Sequence, residues 1–112
     1  MLNRSAITVR AKQPFLDWLR QLPDPLESNT TLENINDDST VYLLPELVMV
    51  SDKPVLLMQS YDLIFEMELE SWWEDENDWP PDRTLEMFNK WFDLEFHSVI
   101  EDLVDGPLID EE

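Results

Sequence analysis

Cysteine is absent from this 112-residue chain, and histidine and glycine occur once each, as His97 and Gly106. Each shortage excludes a kind of chemistry. Without cysteine there is no disulfide, no thiol nucleophile and no thiolate metal site. A phosphate-cradling loop needs glycines a few residues apart so that backbone amides approach the anion closely, and Gly106 stands alone. The usual zinc sites require several Cys or His ligands, which one histidine cannot supply. A nucleophilic triad would have only His97 as its base, with no nucleophile elbow beside any serine. Long apolar runs are missing too. The longest, such as Val55 to Met58, are four residues, against the ~20 needed to span a bilayer. The start, Met1-Leu2-Asn3-Arg4-Ser5, lacks the apolar run of a signal peptide, so the cytoplasm is the expected location.

Bases are the other scarcity. Seven Lys and Arg face 26 Asp and Glu, a formal net charge of −19. Such a chain repels nucleic acid phosphates and anionic membrane surfaces, and its natural partners are cationic. Adaptation to high salt is the blander origin of an acidic surface. Yet 43% of the residues are hydrophobic and five are Trp, which separates the chain from disordered acidic polymers that cannot offset the entropy of ordering. The length suits one core and one domain, expected over residues 1–105, with an acidic tail over residues 106–112.

The charge is unevenly placed. Residues 1–22 hold Arg4, Arg10, Lys12 and Arg20 against Asp17, a net of +3. The remaining residues hold Lys53, Arg83 and Lys90 against 25 acids, a net of −22. The basic segment is therefore expected to lie across its own acidic body. On that reading Arg10→Glu lowers stability at low salt, and added salt restores much of the loss.

Ala6 to Arg10 alternates over β-branched residues and predicts a strand. Pro14 suits the first turn of a helix from Phe15 to Leu22, with Phe15, Trp18, Leu19 and Leu22 on one face and Pro23 and Pro25 closing it. The polar stretch from Glu27 to Ser39 reads as a loop. Thr40 to Leu44 is the second strand, ended by Pro45. Ser51 or Asp52 caps the longest helix, which has Pro54 in its first turn and runs to about Trp73. Its principal stripe is Leu57, Tyr61, Ile64 and Phe65. After Trp79-Pro80-Pro81, Asp82 caps a helix from Arg83 to Phe92 that buries Leu85, Phe88 and Phe92. Leu94 to Leu103 reads as the third strand, with a continuing helix as its alternative. The order βαβααβ predicts an α+β fold, a small three-stranded sheet with about three helices on one face.

Glu66 to Asp78, EMELESWWEDEND, holds seven acids and no base. A calcium site of the EF-hand kind fails for want of the central glycine. Docking of a basic partner is the sharper reading, and a solvated helix end plus loop the plainer one. Trp72, Trp73 and Trp79 beside those acids suit capture of Arg or Lys side chains, although Trp near a helix end often completes a core. One exposed ring and two core rings are expected. The candidate partner-binding set is Glu66, Glu68, Glu70, Trp72, Trp73, Glu74, Asp75, Glu76, Asp78 and Trp79. Glu101 and Asp102 add to the same acidic character.

His97 offers a second, less favoured site. As a working residue it is a proton shuttle or one metal ligand among carboxylates; as a structural one it donates to a neighbouring carboxylate. If Leu94 to Leu103 is a strand, Glu95, His97 and Glu101 share a face, with Asp93 on the same side. They are the candidate metal ligands.

Several segments resemble those of a family of short acidic bacterial proteins of uncharacterised function. They are Asn3-Arg4-Ser5, Arg10 to Trp18, Thr40 to Glu46, and Met87 to Ser98. The resemblance covers most of the chain outside residues 24–39 and the tail. It implies a bacterial, cytosolic protein and carries no activity, cofactor or catalytic residue. The residues themselves predict a non-enzymatic interaction protein that binds a basic protein surface and needs no cofactor, nucleic acid or membrane. Nucleic-acid mimicry is one alternative and a carboxylate–His metal protein or enzyme the other. Mimicry would require an ordered ridge of carboxylates, because duplex DNA carries one charge per roughly 1.7 Å.

Overall fold

The computed structural model describes residues 1–24 and 29–111. Pro25 and the start of the expected loop, Glu27 and Ser28, lie outside the described residues, as does Glu112 of the tail. Three strands form one sheet: β1 Arg4–Ala11, β2 Val41–Pro45 and β3 Phe92–His97. Their order is β2-β1-β3, and both pairings are antiparallel. Among the described residues four α-helices accompany them: α1 Gln13–Arg20, α2 Leu32–Ile35, α3 Lys53–Glu70 and α4 Leu85–Trp91. The fold is α+β, a small sheet with helices.

Alternation decides which side of the sheet is covered. Register sets Ile7 beside Tyr42 and Phe96, and Val9 beside Leu94, so these residues share one face. That face joins α1, α3 and α4 in a core built around Phe15, Phe65, Phe88 and Phe92, all essentially sealed from solvent. Phe92 stands at the junction, with ring centroids 5.1 Å from Phe88, 5.3 Å from Phe15 and 5.4 Å from Phe65. Such tilted and edge-on pairs are favourable beyond the area they bury. The opposite face carries Arg10, Val41, Leu43, Asp93 and Glu95, all exposed.

The expected elements are present, with shifted ends. In α1 the stripe Phe15, Trp18 and Leu19 is buried, and Leu22 follows just past the helix. The expected loop after it contains the one-turn helix α2. Its start is a reciprocal cap in which Thr31 Oγ1 accepts from the Asn34 amide and Asn34 Oδ1 accepts from the Thr31 amide. So short and polar a helix leaves no periodic signal.

In α3 the buried residues are Leu56, Ile64, Phe65 and Leu69, whereas Leu57 and Tyr61 of the expected stripe are half-buried. This helix also exposes Val55, Met58, Leu63 and Met67, so a single stripe could not be read unambiguously from it. Asp52 stands at its N-cap, but the carboxylate accepts from the Met49 amide and makes no side-chain cap bond to α3. Helical hydrogen bonds run past Glu70, from the amides of Ser71 to Met67 and Trp73 to Leu69.

Asp82 does not cap α4. It adopts a positive φ of 54° after the two prolines, and the chain enters the helix two residues later, where Thr84 Oγ1 accepts from Met87. Asp tolerates that left-handed conformation better than most residues. Phe92 ends α4 and begins β3 at once. The strand stops at His97, opposite Ala6, although β1 continues through Ser5 to Arg4, and further on the Leu2 amide donates to the Ile100 carbonyl at 2.8 Å. Residues 98–111 contain neither helix nor strand.

Candidate functional site

The acidic–aromatic stretch after α3 divides into residues that hold the loop and residues that face solvent. Trp73 Nε1 donates to the Asp78 carboxylate at 2.9 Å, and Trp18 Nε1 donates to the Asp78 carbonyl at 2.9 Å. Trp79 Nε1 donates to the Trp73 carbonyl at 2.7 Å. Three indoles, each a donor only, thus tie residues 73–79 to α1 and to themselves. Trp79 is buried and Trp73 half-buried. Asp78, Trp73 and Trp79 are therefore spent on structure.

Arg83 engages one more acid of the set, Glu66. Its guanidinium meets Glu66 at 2.9 Å and Asp62 at 3.4 Å, donates to the Pro80 carbonyl at 3.2 Å, and lies 5.9 Å from the Phe65 ring and 5.8 Å from the Trp79 ring. Only 18% of its side chain is exposed. A planar five-donor head suits such a junction of carboxylates, carbonyl and rings. The chain composition contained no sign of this role, since Arg83 is one base among many acids.

Glu68 turns inward. The Tyr42 hydroxyl donates to its Oε2 in a short hydrogen bond. Burial raises the Glu68 pKa, opposed by the bond from Tyr42; burial also raises that of Tyr42, with the adjoining carboxylate adding to the effect. Glu68 forms part of the wall of a cavity of about 230 Å³ between β1, α2 and the end of α3. Sequence reasoning placed Glu68 on the acidic surface; alternation in β2 points Tyr42 at it instead.

What is left of the expected set is Glu70, Trp72, Glu74, Asp75 and Glu76, all exposed. Trp72 shows 40% of its surface and lies beside a shallow open hollow with Glu70, Glu74 and Asp75. The last turn of α3 has no base. The negative end of the helix dipole lies there and reinforces the field of the acids.

The second set does not come together. His97 Nε2 lies 3.1 Å from Glu95 and 3.2 Å from the Thr8 hydroxyl. Glu101, beyond the end of β3, meets the N-terminal ammonium at 3.3 Å. Among the described residues no group of three or more His, Asp or Glu is arranged to hold a metal ion. No helix among them is long and apolar enough to cross a membrane.

The basic segment does not lie across the acidic body as expected. Lys12 reaches Asp93 only at 4.0 Å, while Arg4 and Arg20 donate to backbone carbonyls of Asn3 and Thr30. Arg10 makes no ion pair among the described residues. The reason is alternation, which sends Arg4 and Arg10 to the outer face of β1.

No protein-family model, no curated protein and no solved structure matches this chain. These comparisons do not bear on the resemblance to short acidic bacterial proteins.

Proposed function

We propose that this is a non-enzymatic interaction protein that docks a basic protein surface on the acidic end of α3. The supporting observation is Trp72, 40% exposed among Glu70, Glu74 and Asp75 at a helix C-terminus without a base. A rigid aromatic anchor within an anionic field suits Arg and Lys side chains, through ring faces and through charge. Glu66 and Asp78 are engaged by Arg83 and Trp73 and Glu68 turns inward to Tyr42, which leaves Glu70, Trp72, Glu74, Asp75 and Glu76 as the exposed docking surface. A cytoplasmic setting belongs to the same proposal.

Exposed carboxylates stand on α1, α2, α3, α4 and β3, at Asp17, Glu33, Asp62, Glu86 and Asp93 among others. That spread favours docking over mimicry of a nucleic acid, which needs one ordered ridge. The separation of Glu101 from His97 likewise favours docking over a metal site.

The test is calorimetry with a hexa-arginine peptide at about 0.05 and about 0.5 M salt, spanning strong and weak screening. Binding that weakens roughly tenfold or more with salt, and is largely lost in the double variant Glu70→Lys/Glu74→Lys, is the expected result. Salt-independent binding, or an unaffected double variant, refutes it.

A further inference from the structure

We infer that the cavity beside Trp72 receives a single arginine side chain of that basic partner, a deepening that rests on the docking reading above. Its lining includes the carboxylates of Glu68 and Asp38, the ring of Trp72 and the half-buried Ile35, with the sealed Val9 and Phe15 behind them. At about 230 Å³ it is below the roughly 300–1,000 Å³ of small-molecule sites and matches one long side chain.

Its polar groups are already sorted. Asn36 is spent on the sheet, with Oδ1 accepting from the Ala11 amide at 2.8 Å and Nδ2 donating to the Ala11 carbonyl at 3.0 Å. Ser39 and Ser71 donate to backbone carbonyls of Asn36 and Glu68. Among the described residues, Glu68 Oε1 and the Asp38 carboxylate make no hydrogen bond. No buried side-chain oxygen is left unsatisfied, so Oε1 is reached by solvent. The charged groups of the cavity are therefore both anionic, with the Thr40 hydroxyl as a neutral neighbour, and no base lines it.

This combination selects the occupant. Carboxylates exclude phosphate and other anions. Two carboxylates, one of them already bonded to Tyr42, fall short of the six to eight oxygens that calcium takes. A long side chain with a cationic head fits, its stem beside the half-buried Ile35 and its head toward the carboxylates. Arginine adds a planar face that stacks on Trp72 and a fork that bonds carboxylate.

Titration of the wild-type protein with N-acetyl-arginine amide, followed through the indole and amide NMR signals, tests the pocket directly. Shifts concentrated at Trp72, Ser39 and Ala11, with the citrulline analogue silent, are expected. Glu68→Gln, nearly isosteric, and Asp38→Asn, at an exposed position, should each weaken hexa-arginine binding about tenfold, the loss of a charge-assisted bond. Retained amide dispersion shows that both variants are folded. Unchanged peptide affinity in both overturns the pocket while leaving docking on α3 intact. Failure of hexa-arginine to bind wild type overturns both. Equal shifts from the citrulline analogue, or saturation by Mg²⁺ or Ca²⁺ in place of arginine, also overturn the arginine assignment.

Discussion

Arg83 and Arg10 carry the same charge in the same acidic protein, yet one is a structural junction and the other stands in solvent. Arg83 lies between α3, the loop of residues 73–82 and α4, with two carboxylates, a carbonyl and two rings around it. Arg10 lies on the outer face of β1, opposite Asp93 in register but without an ion pair among the described residues. A surplus of 19 acids did not draw Arg10 onto the body. Attraction between exposed charges is weak in water and does not outweigh the strand geometry that directs the side chain outward. Depth, rather than charge count, determined which cation was used.

The sharpest way to break this contrast is Arg83→Met, which keeps much of the stem and removes the head. It leaves Glu66 without its 2.9 Å partner and the Pro80 carbonyl without a donor. Asp62 is well exposed, so its pair adds little. A loss of about 2 kcal/mol follows from the charge-assisted bond to Glu66 and the stranded carbonyl. In a domain of this size that lowers Tm by roughly 10 °C, measurable by thermal circular dichroism. A change under about 2 °C would show that the loop holds through its indoles alone.

Glu68→Gln is expected to act in the opposite direction. Burial raises the folded-state pKa of Glu68, so its charged form is the one the fold disfavours. The contribution of this carboxyl is therefore most favourable below its unfolded pKa and is lost as pH rises through the raised folded value. Gln keeps an acceptor for Tyr42 and carries no charge. The variant should melt a few degrees higher than wild type at neutral pH, with the difference vanishing in acid. A lower Tm at pH 7 would mean that the ionised carboxylate is the stabilising form.

The smallest effect is assigned to Arg10→Glu, which sharpens the comparison from its other side. With no ion pair to lose, only general repulsion grows, and the cost should be no more than about 0.5 kcal/mol at low salt, shrinking as salt is added. A loss approaching that of Arg83→Met would place Arg10 in a directed contact.

Much of the fold was legible because it rests on local rules. Alternation over Ala6 to Arg10 and the spacing of Phe15, Trp18 and Leu19 are properties of neighbouring residues, and each named its element. Boundaries were less legible. Thr84 rather than Asp82 starts α4, since the Pro80-Pro81-Asp82 turn delays helix entry. The third strand ends at His97 while its partner β1 continues to Arg4, which no property of residues 98–103 announces.

The candidate site shows the same division. By itself the sequence determined an acidic, cysteine-free α+β protein with an aromatic core and an excess of carboxylates around Trp72, Trp73 and Trp79. Those features follow from composition and short-range periodicity. Only the tertiary structure decided which acids remain free. Glu66 met Arg83 from 17 residues away, Glu68 met Tyr42 from 26 residues away, and the Asp78 carbonyl met Trp18 from 60 residues away. A hydrogen bond acts over about 3 Å and carries no mark of sequence separation, so its partners are set by how strands and helices pack.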